Sequence, residues 1–580
     1  MILRSEQELG DYDRSILHAF FRRAAEHPHQ VLAAERQGDD WIELSWWEAA
    51  AAAKSLGQAL LDLGLGPERP ILMLSGNSLA HLKVMLGAFH VGVPVMPVSV
   101  AYSLQSNNYE RIREIADFTT PGMVFAEDAA QFAPALTRLR DLVPLQCVDR
   151  GRGPDLISLG DLMRTEPTSE LEEIFASVGP DTVAKILFTS GSTGRPKGVI
   201  NTHRMLCSNQ QALAEIWPFM SSERPVLVDW LPWSHTFGGN HNLNQVIYFG
   251  GTLYIDDGRP APGLFEPTVE ALRHTPPSVY YNVPAGFTLL APRLEEDREF
   301  AEVFFSRLRF MFYAAAALPP ALWRRLRAVA DEVADHPVAL TASWGATETA
   351  PAATSAHFAD AECGCIGVPV PGTTIKLAPA GDKLEIRVLG PNVTPGYFRD
   401  PDATAAAFDE EGYYRSGDAV HLVDSDRCSR GLMFDGRLAE DFKLVTGTWV
   451  RVGALRNALV SSADILQDAV ICGEGRGYIG VLAWLNEAHA RAFLGGRDEP
   501  SISHPAIRKH LASALALLNQ DWGSAKRIER LLLLAEPPDI DSGEITDKGY
   551  INQRSVLTRR VDMVEQLFAD PIHDNVIAPT

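Results

Sequence analysis

The segment Thr189-Ser190-Gly191-Ser192-Thr193-Gly194-Arg195-Pro196-Lys197-Gly198 packs hydroxyls, glycines and one lysine into ten positions, directly after the apolar run 184–188. The apolar run reads as a strand that delivers the chain into a loop. Glycines let backbone N–H groups turn inward and approach a phosphate closely. Ser and Thr hydroxyls add neutral donors, and Lys197 adds a point charge. An ATP-type ligand is the natural partner, and a surface linker of similar composition is the plain alternative. The order differs from the common nucleotide loop G-x-x-x-x-G-K-[ST]. Gly191 and Gly194 stand too close together, Pro196 precedes the lysine and Gly198 follows it. A kinase or GTPase reading loses its main support.

The chain around this loop has 580 residues, too many for one ordinary domain. A net charge of −22 argues against nucleic acid and anionic membrane surfaces as main partners. It also requires local basic residues or backbone donors wherever an anionic ligand binds. The six cysteines are sparse. Cys363 and Cys365 lie close, but no second pair completes a zinc spacing, so buried thiols in a reducing compartment are expected. Residues 1–14 are polar and acidic with no apolar h-region, and no run reaches the ~18 apolar residues of a membrane span. A cytoplasmic protein with no membrane span is the expectation. Oligomeric state is not legible.

Periodicity predicts helices over 15–26, 47–63 and 79–89, with strands at 70–75 and 93–98. Further strands are expected at 226–231, 252–255, 279–283, 310–313 and 338–341. Strands alternating with helices at this pitch predict βαβ units and largely parallel sheet. After about residue 372 the texture changes to short strands between turns, at 374–377, 383–388 and 420–423, as in a small antiparallel subdomain. Beyond about 436, strands at 468–472, 480–485 and 530–534 and a helix over 504–519 predict a compact α+β domain.

Five more blocks carry candidate chemistry. Residues 229–242 (Asp229-Trp230-Leu231-Pro232-Trp233-Ser234-His235-Thr236-Phe237-Gly238-Gly239-Asn240-His241-Asn242) crowd aromatics and histidines behind a strand, which suits a pocket wall or ordinary packing. Ser343-Trp344-Gly345-Ala346-Thr347-Glu348-Thr349 follows the strand at 338–341. Glu348 is a hard oxygen ligand for Mg²⁺ or a carboxylate at a helix start. Gly412-Tyr413-Tyr414-Arg415-Ser416-Gly417-Asp418 contains Ser-Gly-Asp, a common turn. The last two blocks are Phe434-Asp435-Gly436-Arg437-Leu438-Ala439-Glu440-Asp441-Phe442-Lys443 and Asp541-Ser542-Gly543-Glu544-Ile545-Thr546-Asp547-Lys548-Gly549-Tyr550.

Six blocks in this order, covering most of the chain, resemble the adenylate-forming superfamily. Longer words are similar to bacterial feruloyl-CoA synthetases: Val199-Ile200-Asn201-Thr202, the block at 229–242, Gly251-Thr252-Leu253-Tyr254-Ile255-Asp256, Glu440-Asp441-Phe442-Lys443-Leu444, Gly447-Thr448-Trp449-Val450 and the run 543–554. The resemblance implies an α/β fold. A large N-terminal domain over 1–437 would include a β subdomain near 373–437, and a smaller, mobile α+β domain would span 438–580. It implies ATP, Mg²⁺ and coenzyme A as cofactors and an aromatic acid, such as a hydroxycinnamate, as substrate. The acid would become an acyl-adenylate and then a coenzyme A thioester.

Residue by residue, Thr189, Ser190, Gly191, Ser192, Thr193 and Gly194 would grip the phosphates, with Lys197 on the departing pair. His235 would sit near the phosphates and the acid carboxylate. Trp344, where the family usually has Tyr, would cover the adenine, Thr347 would bond phosphate, and Glu348 would hold Mg²⁺. Asp418 would receive the ribose hydroxyls, Arg437 would contact ribose or phosphate, and Gly447 would meet coenzyme A. Phe237, Asn240, His241 and Ala315 are the pocket candidates, with Tyr281, Asn282, Pro284 and the rest of Ala314–Ala317 as further lining. Two positions depart from the pattern. Ala439 stands where a hinge Asp or Lys is usual, with Glu440 and Asp441 as polar neighbours. Glu544 stands where Ser-Gly-Lys would put the adenylation lysine, which moves that role to Lys548. Two rival readings stay open: an adenylating enzyme with another acceptor, and a regulatory nucleotide-binding module, which Ala439 and Glu544 favour.

Overall fold

The computed structural model describes residues 1–38, 40–190, 196–261, 263–358, 361–496, 498–520, 527–545 and 551–580. Helix Ile16–Glu26 begins where expected because the Ser15 side chain caps it, accepting from the His18 N–H. Helix Trp46–Asp62 opens on a Ser45/Glu48 capping box. Both lay apolar faces on a shared core with helices Leu79–His90, His203–Ile216 and Leu243–Phe249.

The described strands form five sheets. The sheet that carries the phosphate-loop candidate has seven strands. Five of its strands, Ile71–Leu74, Val95–Pro97, Met123–Asp128, Gln146–Arg150 and the edge strand Leu156–Ser158, are parallel. Strand Val183–Ser190 joins them through one residue pair, Val95 with Lys185, and strand Pro196–Thr202 closes that edge antiparallel. A four-stranded sheet pairs Val226–Asp229, Thr252–Ile255 and Val31–Gln37 in parallel, with Asp40–Ser45 antiparallel.

A ten-stranded sheet begins with parallel strands Val279–Asn282, Phe310–Tyr313 and Ala339–Gly345. These are apolar on both faces, as parallel strands between packed layers must be. Tyr281, Phe310 and Phe312 join the large core, while Tyr280, Met311 and Tyr313 join a second core with helices Pro284–Glu296, Arg298–Phe305 and Pro320–Val333. The short strands expected beyond 372 are present, and they continue this same sheet antiparallel out to Ile2–Arg4, which pairs with Thr374–Ala380. Residues beyond 441 build a separate core around the sheet of Leu466–Cys472, Ile479–Leu485, Ile528–Leu533 and Val576–Ile577, with helix Pro505–Gln520 packed on it.

Three elements differ from expectation. The strand read as ending at 341 runs to Gly345, so Trp344 lies in it. Ser416-Gly417-Asp418, read as a turn, lies in strand Tyr414–Leu422. Gly417 has φ +72 there, beside an irregularity in pairing, so turn-type composition serves a bulge. Lys197 lies in a strand rather than in the loop. Cys147, Cys207, Cys365 and Cys472 are buried, and Cys363 and Cys428 half-buried, all as free thiols. Among the described residues no helix is long and apolar enough to cross a membrane.

Candidate active site

The hairpin around the Ser/Thr/Gly loop fixes its two ends. Ser190 pairs with Pro196 and Thr189 with Lys197, so the lysine stands directly across from the loop's first hydroxyl. Gly191, Ser192, Thr193 and Gly194 lie outside the described residues. The Lys197 ammonium sits 5.1 Å from the centre of the Tyr397 ring. The hydroxyl of that tyrosine donates to Glu348 Oε1 at 3.0 Å. One aromatic ring thus separates the lysine from the carboxylate, and Tyr397 is a residue the sequence reading missed. The Tyr414 hydroxyl reaches the same carboxylate. Gly198 is required at the base of the hairpin, because a Cβ there would stand 2.9 Å from Ile186 and 3.3 Å from Phe188.

Thr347 and Glu348 lie in the short helix Thr347–Thr349, each 7% exposed. A polar chain ties them to the second block. The Asn201 amide donates to the Thr347 carbonyl at 3.5 Å, the Asn240 amide donates to Asn201 Oδ1, and it also donates to Thr236 Oγ1 at 3.1 Å. Candidate phosphate and acid residues from three distant stretches are therefore linked by hydrogen bonds.

At the other end of the 344–349 segment the indole N–H of Trp344 donates to Asp418 Oδ2 at 2.9 Å. Arg437 stands in register with Asp418 on the neighbouring strand, its Nε 3.6 Å from Oδ1. Burial raises the Asp418 pKa, while Arg437 and the indole N–H pull it back. Replacing the usual Tyr by Trp thus supplies a donor that a phenol in that position would have to reach differently. The three nucleoside candidates come together as a unit, and the Arg437 side chain is two-thirds exposed beside them.

The aromatic block leaves a strand at Asp229, turns through 230–236 and enters a π-helix, Phe237–Asn242. Gly238 and Gly239 make it possible, since a Cβ at either would lie 2.2–2.3 Å from the Leu231 or Trp233 carbonyl oxygen. Asn77 clamps the turn before it, donating to the Leu231 carbonyl and accepting from the Trp233 N–H, each at 2.9 Å. His235 Nδ1 accepts from the Phe237 N–H at 3.3 Å, so the ring proton belongs on Nε2. The His241 ring lies 5.0 Å from Tyr281, 5.3 Å from Phe312 and 5.8 Å from Phe237, centre to centre. Ala315, by contrast, is exposed on the loop after Phe310–Tyr313, with φ +75.

Lys185 was not singled out by sequence, and it is fully buried. Its Nζ donates to the Gly239 carbonyl at 2.6 Å, joining the strand that leads into the loop to the π-helix. Burial lowers its pKa from 10.5 to about 7. Between those values the unfolded chain holds a proton that the folded chain releases, so stability rises with pH across that window. Lys185→Met removes this increment. Urea unfolding at pH 6.5, 8 and 9.5 is expected to show the wild type gaining on the variant by up to roughly 1.4 kcal/mol per pH unit. A constant difference at all three values would overturn the assignment.

The terminal segment places its candidates elsewhere. Gly447, φ +82, lies exposed in the turn between Phe442–Lys443 and Trp449–Val450. Asp441 accepts from Lys383 Nζ at 2.5 Å and from the Val452 N–H at 3.0 Å. Glu544 is 4% exposed and takes a two-pronged contact from Arg560, at 2.7 and 2.6 Å. Burial would raise its pKa, but Arg560 holds it below the usual value. The side chain is committed within its own domain. Lys548 lies outside the described residues. Among the described residues no group of three His, Cys, Asp or Glu is arranged to hold a metal ion.

Comparison with known proteins bears on this arrangement. A family model described as AMP-binding enzyme matches residues 20–398, and one described as AMP-binding enzyme C-terminal domain matches 441–571. The chain is 28% identical over 452 residues to the benzoate–CoA ligase of Thauera aromatica, covering 76% of this chain and 80% of that one. It is 27% identical over 477 residues to the feruloyl-CoA synthase of an Amycolatopsis species, covering 80% and 83%. The adenylation domain of the carboxylate reductase from Mycobacterium chelonae superposes with TM-score 0.75 at 18% identity, covering 97% of this chain and 92% of that domain. The last likeness confirms the adenylate-forming fold: α/β, with a large N-terminal domain and a smaller C-terminal one. With a family model spanning most of the chain and the fold in agreement, this protein belongs to the AMP-binding enzyme family.

Proposed function

We propose that this chain is an AMP-forming acid–CoA ligase acting on an aromatic acid, of which a hydroxycinnamate such as ferulate is the best candidate. The observation that carries it is the meeting of Lys197, Tyr397 and Glu348 at the base of the hairpin, with the Asn201–Asn240 bridge leading from there to the aromatic wall. In the first step the acid carboxylate attacks the α-phosphorus of ATP, and pyrophosphate leaves with the electrons of the broken P–O bond. In the second the coenzyme A sulfur attacks the acyl carbon, its proton is lost to solvent, and AMP leaves.

A carboxylate and a triphosphate repel, so the protein's work is placement and charge compensation. Lys197 would compensate the departing phosphates, and His235 would offer its Nε2–H to phosphate or carboxylate oxygen. Trp344 would cover the adenine, Asp418 would accept from the ribose, and Arg437 would flank it. A single hard carboxylate, Glu348, ringed by tyrosine hydroxyls fits Mg²⁺ arriving on ATP, since that ion needs only one or two protein oxygens. Mg²⁺ would supply neutralisation of phosphate charge. The domains proposed are 1–437 and 438–580, with the joint at Asp441 and Lys548 brought to the acid by the second of them.

The names of the benzoate and feruloyl relatives support an aromatic acid. An AMP-release screen across cinnamic, benzoic and fatty acids with coenzyme A tests it, with hydroxycinnamates expected to give the highest kcat/KM. Preference for a fatty acid would overturn the aromatic assignment. Acyl-adenylate without thioester would move the acceptor from coenzyme A to a carrier or reductase partner. ATP binding with no acid-dependent AMP release would select a regulatory module.

A further inference from the structure

His241 is held in one tautomer by a chain of neighbours. Asp229 is fully buried, and a carboxylate can only accept. Its Oδ1 takes the Leu231 N–H at 3.1 Å, and its Oδ2 takes the Asn242 side-chain amide at 2.9 Å. That contact orients the Asn242 amide, so its carbonyl oxygen faces His241 Nδ1 at 2.9 Å. The imidazole must donate there. Its proton is on Nδ1, and Nε2 carries a lone pair.

That nitrogen is buried without a hydrogen-bond partner, and burial keeps the ring neutral, with a pKa lowered to about 4. An acceptor left unpaired in an apolar surround forfeits the hydrogen bond it would make in water. The surround is the aromatic wall itself: Tyr281, Phe312 and Phe237 stand around the ring. The Tyr281 hydroxyl is the other polar group of this wall, and it faces Gln245. The wall therefore ends in an unpaired acceptor, His241 Nε2, set among aromatic faces. Such an end matches a ligand that is flat and apolar along its length and carries a hydrogen-bond donor at its tip.

We propose that His241 Nε2 is a specificity-determining acceptor for the ring hydroxyl of a hydroxylated aromatic acid, with Asn242 and Asp229 as the positioning residues that fix its tautomer. This rests on the aromatic-acid reading of the site. A site built to bond a substrate hydroxyl rejects the analogue that lacks it far more strongly than an apolar pocket rejects an added group.

The test compares 4-hydroxycinnamate with cinnamate in the coenzyme A-dependent AMP-release assay at pH 8, above the Asp229 pKa of about 7. Wild-type protein is expected to favour the hydroxylated acid by on the order of 10²-fold in kcat/KM. His241→Phe is expected to bring the ratio near one, and His241→Gln, which keeps an acceptor, to restore part of it. Asn242→Leu should lower the ratio while leaving the ATP KM unchanged. The wild-type comparison does not depend on any variant folding. Equal turnover of both acids by the wild type, or an undiminished ratio in folded His241→Phe, overturns the assignment while leaving the aromatic-acid reading intact. Turnover of fatty acids with neither cinnamate accepted overturns both.

Discussion

Lys548→Ala is expected to abolish acid-dependent exchange of pyrophosphate into ATP, lowering its rate by at least 10²–10³-fold, the scale of one lost electrostatic contact at a developing charge. Thioester formation from supplied acyl-adenylate should stay within a few-fold of wild type. The reason is local. Forming the adenylate brings two anions together, and a cation must stand between them. Glu544 cannot substitute by sign, and its carboxylate is already committed to Arg560. Of the lysines in the terminal segment, Lys548 follows it by only four residues. Exchange that survives the substitution would show that the role lies elsewhere.

The second large effect concerns the nucleoside end. Asp418→Ala should lower kcat/KM for ATP by on the order of 10²-fold, because hydrogen bonds to a charged group are each worth about 1.5–3 kcal/mol. The comparison that isolates the cause uses 2′,3′-dideoxy-ATP. Wild-type protein should lose a similar factor with this analogue, whereas Asp418→Ala should treat the two nucleotides alike. Trp344→Phe keeps an aromatic face but releases Asp418 Oδ2 from the indole N–H, so a smaller loss, about tenfold, is expected. If Asp418→Ala still discriminates between the nucleotides, the carboxylate does not receive the ribose.

Much of the fold was legible because its signals are local. The apolar runs at 279–283 and 310–313 were readable as buried strands, since both faces of Tyr280-Tyr281 and Met311-Phe312 are covered by packed layers. Helix starts were readable from Ser15 and Ser45, whose side chains cap their own next turn. What escaped was whatever depends on a partner far along the chain. Ser-Gly-Asp has turn composition, and pairing with 383–389 on one side and 432–437 on the other draws it into a strand. Tyr397 gains meaning from Lys197 and Glu348, Lys185 from Gly239, and Asp441 from Lys383. The π-helix depends on two glycines tolerating carbonyl oxygens of an earlier turn, a contact that no periodicity announces. At the site, Trp344, Asp418 and Arg437 lie together, and the bond that joins the first two comes from the tryptophan that departs from the family pattern.

The ten-stranded sheet imposes an order on how this chain can reach its native form. Ile2 pairs with Lys376, so one margin of the sheet waits for more than 370 residues of further synthesis. At about 5–20 residues per second on the ribosome, that is tens of seconds. Through that interval the parallel strands at 279–313 can dock on their helices, but the antiparallel half stays open to other chains at its unpaired hydrogen-bonding groups. Nascent chains arrested before residue 437 has left the ribosome should therefore be chaperone clients and aggregation seeds, whereas later arrest lets the antiparallel strands pair in full. Yield in cells would then follow the pace of translation through 374–437 more closely than the stability of the finished enzyme.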